Sequence, residues 1–144
     1  PVTGTPPYGY SPESAPGWMG WMEAGIIVPW QVYQQYGDVK ILHQHYESMV
    51  RYMNYLERRA EGGYLQNASG IGDHLAIERT NIGLTNTAYY AYDAYIMSKI
   101  AKRLGKVQDQ RKYEELYANI KKAFNEAYVN DETKFILSLP IKCV

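Results

Sequence analysis

The sequence has little of several features that would assign it to a protein class. Cys143 is the one cysteine among 144 residues, which excludes an intrachain disulfide. Fifteen acidic side chains cancel fifteen basic ones, so the net charge indicates neither nucleic acid nor an anionic membrane as a partner. No apolar run reaches the roughly 20 residues that a membrane-spanning helix requires. We therefore expect a partner that is neither nucleic acid nor a membrane.

Phenylalanine is also scarce, whereas tyrosine is abundant. The chain has 2 phenylalanines against 15 tyrosines and 3 tryptophans. Rings with a polar tip suit half-buried, wet surfaces, and they line sugar sites because they combine a flat apolar face with a hydrogen-bonding edge. A tyrosine-rich helical core explains the same composition, and composition alone favours that simpler interpretation.

The length and the two ends bound the domain organisation. The 144 residues are enough for one domain with its own core, and we treat 1–144 as one partial domain. Five of the seven prolines lie in residues 1–16, which predicts a non-helical lead-in. Residues 131–144 are predicted as a short tail, in which 135–139 form a short strand or lead into a further helix. The sequence begins without an initiator methionine or a signal peptide, so we expect a fragment or a processed piece.

Residues 17–37 form the most apolar helical stretch of the chain. Apolar side chains recur at steps of three and four and also fill the other sides, which predicts a central helix with several partners. Pro29 cannot donate the hydrogen bond that Gly25 would accept, so we expect a kink or a restart there. Glu23 is the one acid of the stretch. Its burial beside Trp21 would cost several kcal/mol without a partner, so we expect it to open onto a polar pocket.

Three further helices are predicted by periodicity. A stripe of apolar residues on one face of Val39–Ala60 predicts an outer helix, and a similar stripe predicts another at Gln108–Tyr128. The helix capped by Thr85 or Asn86 and ending near Leu104 is apolar in its first half except for Asp93, which predicts a second central helix.

The order of these helices predicts the architecture. Central and outer helices alternate, which indicates an all-α fold of two αα-hairpins. The connection between the hairpins, residues 61–84, exceeds the roughly 12 to 15 residues usual for structureless connections. A loop of that length favours a functional role.

Two acids are candidates for chemistry, Glu23 and Asp73. Glycoside hydrolysis uses paired carboxyl groups, because one donates a proton to the leaving oxygen while the other activates water or attacks. From spacing alone, a structural role is favoured: Glu23 caps or pairs in the core and Asp73 organises its loop. No metal site is predicted, since His43 and His45 lie two residues apart and point to different sides of a helix.

A resemblance to a known family rests on several motifs taken together. Trp21–Trp30 reads WMEAGIIVPW, Tyr36–Asp38 is a Tyr-Gly-Asp break, Gly72–Leu75 is a Gly-Asp-x-Leu turn, and Thr87–Tyr89 is Thr-Ala-Tyr. With these motifs, residues Pro7 to Asn130 resemble the catalytic domain of the bacterial α-L-rhamnosidases, glycoside hydrolase family 78. His74 stands where that family usually has tryptophan.

The resemblance implies a fold, an activity and a site. The fold is an (α/α)6 barrel, of which this chain would form part of the ring of inner and outer helices. The activity is hydrolysis of terminal α-L-rhamnose from glycosides or polysaccharides, with inversion and without a cofactor. The family's catalytic acid lies upstream of this region and its base lies far downstream, so we expect no catalytic residue in this chain and no activity from the chain alone. Substrate contact is expected from Trp21 by stacking, and from Glu23, Asp73 and His74 by hydrogen bonds.

Two further expectations concern partners. A helical-repeat module of the tetratricopeptide kind is the alternative, but such repeats recur at about 34 residues. The two predicted hairpins begin at Gly17 and near Thr85, about twice that spacing. An open part of a ring also exposes flanks that its neighbours would cover, so we expect self-association of this chain or exchange of helices between copies.

Overall fold

A computed structural model describes residues 19–66, 77, 80–133 and 135–136. Four helices make up most of this part of the chain: α1 (Ala24–Tyr36), α2 (Val39–Arg59), α3 (Ile82–Arg103) and α4 (Val107–Tyr128). The prediction of an all-α fold with two αα-hairpins is confirmed. The predicted lead-in, most of the predicted tail and half of the predicted long loop lie outside the described residues.

The first helix is shorter than the apolar stretch that predicts it. Residues 19–23 form turns instead, with the Ala24 amide donating to the Trp21 carbonyl oxygen at 3.3 Å. Gly20 has a φ of 96°, a conformation that glycine adopts without strain and that turns the chain away from a helical path. Beyond this turn α1 continues through Pro29 as one helix, so the alternative of a restart at Pro29 is wrong.

The third helix begins earlier than predicted. Its N-cap is Asn81, whose side-chain oxygen accepts a hydrogen bond from the Leu84 amide at 3.2 Å, so the expected cap at Thr85 or Asn86 is wrong. Asn86 is buried within the helix instead. The predicted strand in the tail is reduced, among the described residues, to a single antiparallel bridge between Val129 and Ile136.

The core lies where α2 and α4 pack against α3. Helix α3 contacts each of the other three helices, whereas α1 contacts α2 and α3. The largest fully buried side chains on these outer helices include Leu42, Met49, Met53 and Leu56 of α2 and Tyr113 and Ile120 of α4. On α1, by contrast, Ile26 and Pro29 are the buried residues, while Val28 and Tyr36 are exposed. The apolar surface of α1 is therefore only partly covered by the described residues.

Candidate functional site

The turn before α1 brings together two of the predicted site residues. Trp21 is 63% exposed, whereas Glu23, two residues later, is 1% exposed. The Gly20 amide donates to Glu23 Oε2 at 2.7 Å. This hydrogen bond closes the turn that carries the exposed indole of Trp21. The result is an exposed aromatic ring on a turn that is fixed from inside.

The second oxygen of Glu23 is held by α2. The Tyr52 hydroxyl donates to Glu23 Oε1 at 2.9 Å across 29 positions in the sequence. Glu23 is therefore hydrogen-bonded inside the core, and its side chain does not open onto the polar pocket that we expected. Burial raises its pKa from the usual value of 4.5, and the hydrogen bonds from its own backbone, Tyr52 and Gly20 offset part of that rise.

Asp93 on α3 is a second buried acid beside Glu23. It is fully buried, and neither of its carboxyl oxygens has a hydrogen-bond partner among the described residues. Burial, and then the charge of Glu23, raise the pKa of Asp93 well above its usual value of 3.8. Burial together with the charges of Glu23 and Asp93 also raises the pKa of Tyr52, which keeps that hydroxyl protonated as a donor.

Asp93 and Tyr52 are not among the site residues predicted from the sequence. Asp93 carried a usable signal, because it is the one charged residue in the apolar first half of α3. Tyr52 carried none, because it is one of fifteen tyrosines and nothing local marks it as the partner of Glu23. The other two predicted site residues, Asp73 and His74, lie outside the described residues.

A groove lies between α3 and α4. It has a volume of about 410 Å³ and is lined mainly by apolar and aromatic side chains, among them Ala88, Tyr92, Tyr95, Tyr117 and Phe124. We call it the aromatic groove. Tyr92 and Tyr95 are each 41% exposed in it, and the Tyr95 and Tyr117 ring centres lie 5.6 Å apart. Such a surface suits packing against another apolar element better than it suits acid or base chemistry.

Neither a metal site nor a membrane span is found in the part of the chain that the structure describes. No three His, Cys, Asp or Glu side chains come together there as ligands of an ion. None of the four helices combines the length and the apolar character needed to cross a bilayer.

A family model for the bacterial alpha-L-rhamnosidase six-hairpin glycosidase domain matches residues 2–138 of this chain. The chain is similar to an α-L-rhamnosidase of Streptomyces avermitilis, with 39% identity over 116 residues and 80% of this chain covered. It is also similar to α-L-rhamnosidases of Alteromonas sp. (31% identity over 129 residues) and of Formosa agariphila (28% over 142 residues).

Two solved structures share the fold. The crystal structure of the Streptomyces avermitilis α-L-rhamnosidase complexed with L-rhamnose matches 78% of this chain, with a TM-score of 0.73 and 39% identity. The α-L-rhamnosidase structure from Dictyoglumus thermophilum matches 77%, with a TM-score of 0.71 and 36% identity. The four helices thus form part of a six-hairpin domain, as predicted from the motifs.

This chain spans only a small part of each relative. It covers 11% of the Streptomyces avermitilis protein, 14% of the Alteromonas protein and 15% of the Formosa agariphila protein. What those enzymes do as a whole therefore extends well beyond the residues in this sequence.

Proposed function

Since this chain belongs to the family of bacterial α-L-rhamnosidase six-hairpin glycosidase domains, we propose that it supplies part of the sugar-binding wall of an α-L-rhamnosidase. The parent enzyme would remove terminal α-L-rhamnose from glycosides or polysaccharides with inversion. The observation that carries the proposal is the exposed indole of Trp21 on a turn anchored from the core.

Trp21 is suited to contact a sugar without any rearrangement. Its ring is largely exposed, and the apolar face of a pyranose packs well on an indole. The hydrogen bond from the Gly20 amide to Glu23 limits the freedom of the turn, so less conformational entropy is lost when the ring is covered. A rigid aromatic ring at the end of an inner helix is the kind of element that fixes a sugar in a site.

The role of Glu23 differs from that of Trp21. Its two oxygens accept hydrogen bonds from the Gly20 amide and the Tyr52 hydroxyl, and the carboxylate can accept a further one from a sugar hydroxyl. Because Glu23 is buried, its main contribution is to hold the turn that carries Trp21. Hydrogen bonds from Asp73 and His74 complete the proposed wall, and these two assignments are supported by the Gly72–Leu75 motif.

The chemistry itself belongs to other parts of the parent enzyme. An inverting glycosidase needs two carboxyl groups roughly 6.5–9.5 Å apart, so that a water molecule fits between one of them and the sugar. Glu23 and Asp93 do not suit that role, because both are buried in the core of this chain. We therefore propose that the catalytic acid and base lie outside the 144 residues and that the chain alone hydrolyses no rhamnoside.

The proposal is tested in a longer protein that contains this chain together with the rest of the domain. Trp21→Ala is expected to raise KM for a chromogenic α-L-rhamnoside at least tenfold, and Asp73→Ala or Glu23→Ala to reduce kcat/KM sharply. Tyr36→Ala is the matched control, because it removes another exposed ring, one that lies at the other end of α1. Unchanged kinetics in the Trp21 and Asp73 variants would remove this chain from the sugar site.

A further inference from the structure

Two carboxyl groups share the interior of this chain without a cation. Glu23 and Asp93 are 1% and 0% exposed, and neither forms an ion pair with another described residue. Two buried carboxyl groups that feel each other's charge cannot both ionise without a large cost in free energy. The pair therefore retains a proton at a pH where exposed carboxyl groups have lost theirs.

Hydrogen-bond donors are distributed unequally between the two acids. Glu23 accepts from the Gly20 amide at 2.7 Å and from the Tyr52 hydroxyl at 2.9 Å. Asp93 accepts from no donor among the described residues. Donors stabilise the ionised form of a carboxyl group, so the negative charge belongs on Glu23 and the proton on Asp93.

The other titratable groups around the pair leave this assignment intact. Tyr52 and Tyr55 of α2 interact electrostatically with one another, and Tyr52 also with both acids. The pKa of Tyr52 is raised, so it remains a neutral donor and adds no charge. The turn before α1 thus contributes the Glu23 carboxylate, α2 contributes tyrosine hydroxyls, and α3 contributes Asp93 as a neutral acid.

We propose that Asp93 is protonated at neutral pH and acts as a positioning residue that keeps Glu23 ionised. A neutral Asp93 adds no repulsion to the Glu23 carboxylate, which therefore keeps both of its donors and holds the turn that carries Trp21. The consequence for sugar binding rests on the proposed function, whereas the proton on Asp93 does not.

Infrared spectroscopy of the 144-residue chain tests the assignment directly. The wild-type chain at neutral pH should show the carbonyl stretching band of a protonated carboxylic acid, and Asp93→Asn should abolish it. In Glu23→Gln the neighbouring charge is gone, so the band should titrate at lower pH than in the wild type. Asp109→Asn is the control: this acid accepts a hydrogen bond from the Tyr46 hydroxyl at 2.7 Å, and its removal should leave the band unchanged.

Several outcomes would overturn the proposal. A wild-type chain without the band at neutral pH would mean that both acids are ionised, and a band that survives in Asp93→Asn but disappears in Glu23→Gln would place the proton on Glu23. If Asp93→Asn does not fold, the ¹³C resonance of the Asp93 carboxyl group in the wild type decides, since a carboxylate shift at neutral pH contradicts the proposal. Loss of the proposed sugar site would leave all these spectra unchanged, so the two failures are distinguishable.

Discussion

The hydrogen bond from the Tyr52 hydroxyl to Glu23 joins α2 to the turn before α1. Tyr52→Phe removes a donor from a buried carboxyl group and leaves the ring in place, which should lower the free energy of unfolding by about 1–3 kcal/mol. Chemical denaturation of the 144-residue chain measures the change. Tyr36→Phe is the control, because Tyr36 is 81% exposed and its variant should differ from the wild type by less than about 0.5 kcal/mol. Equal effects of the two variants would contradict a stabilising bond at Glu23.

The raised pKa of Asp93 also predicts how stability depends on pH. In the unfolded chain Asp93 ionises near its usual pKa of 3.8, whereas in the folded chain it keeps its proton to higher pH. The folded state thus binds the extra proton, so its contribution to stability is fully present below about pH 4 and is lost as pH rises toward the folded pKa. Glu23, whose pKa is also raised, acts in the same direction.

The substitution Asp93→Asn should remove this loss of stability at rising pH, because asparagine does not ionise. The variant should be more stable than the wild type at neutral pH, and the difference between the two should shrink as the pH falls to about 4. Urea midpoints measured for both chains at several pH values between about 3 and 7 report the difference. An advantage of the variant that is independent of pH, or a disadvantage that grows toward neutral pH, would show that Asp93 is not a neutral buried acid.

Single residues differed in how much of their role could be predicted from the sequence. Elementary electrostatics indicates that an acid in an apolar helical stretch needs a partner, and Glu23 has two. The identity of one of them, Tyr52, depends on how α2 packs against α1, and no local pattern records that packing. The exposure of Trp21 similarly follows from the turn at Gly20, which the periodicity of the apolar residues conceals.

At the scale of an element, the two residues between α1 and α2 end the first helix and begin the second. Gly37 has a φ of 70° and donates its amide to the Tyr33 carbonyl oxygen at 2.8 Å, which ends α1. Asp38 then accepts a hydrogen bond from the Lys40 amide at 2.9 Å as the N-cap of α2. The Gly-Asp pair is a local sequence signal for both roles.

Asp38→Ala should therefore destabilise α2 through its first turn. The amide of Lys40 loses its partner, and the expected loss in the free energy of unfolding is about 1 kcal/mol, measured by thermal or chemical denaturation. Asp38→Asn keeps an oxygen at the same position, so it should remain within a few tenths of a kcal/mol of the wild type. A loss in the asparagine variant as large as in the alanine variant would assign the effect to charge and not to capping.

The helices whose apolar residues follow one clear stripe were predicted almost to the residue. Helix α2 was expected at Val39–Ala60 and runs from Val39 to Arg59, and α4 was expected at Gln108–Tyr128 and begins one residue earlier. Helix α3 was less well predicted, because its first turn contains Gly83, which weakens the helical pattern. In the structure the absence of a side chain at Gly83 accommodates the Tyr128 hydroxyl, which would lie 3.0 Å from an added Cβ atom.

At the scale of the whole molecule, the all-α fold of two αα-hairpins is the feature that the sequence predicted best. The same fold is found in two solved α-L-rhamnosidase structures, with TM-scores of 0.73 and 0.71. The alternative of tetratricopeptide-like repeats is not favoured, because α1 begins at Ala24 and α3 at Ile82, far more than the repeat of about 34 residues. The proposed sugar site could be predicted only in part, because Asp73 and His74 lie outside the described residues and the chain covers only 11% of the Streptomyces avermitilis relative.

The exposed rings of the aromatic groove lead to a prediction about association. Tyr92 and Tyr95 remain 41% exposed in the aromatic groove, where an isolated chain leaves apolar surface in water. Covering such a surface is favourable at about 25 cal/mol per Å², so a second copy of the chain should bind there when no neighbouring hairpin is present. Sedimentation equilibrium of the 144-residue chain should then give a mass that increases with concentration.

Charge placed in the groove should reverse that association. Tyr92→Glu replaces an exposed ring with a carboxylate that must lose its hydration on contact, so the dissociation constant should rise at least about tenfold, equivalent to about 1.4 kcal/mol. Val107→Glu is the matched control, because Val107 is also exposed but lies outside the groove at the start of α4. If the wild type sediments as a monodisperse monomer, or if Val107→Glu weakens association as much as Tyr92→Glu, the aromatic groove is not the surface through which copies of this chain associate.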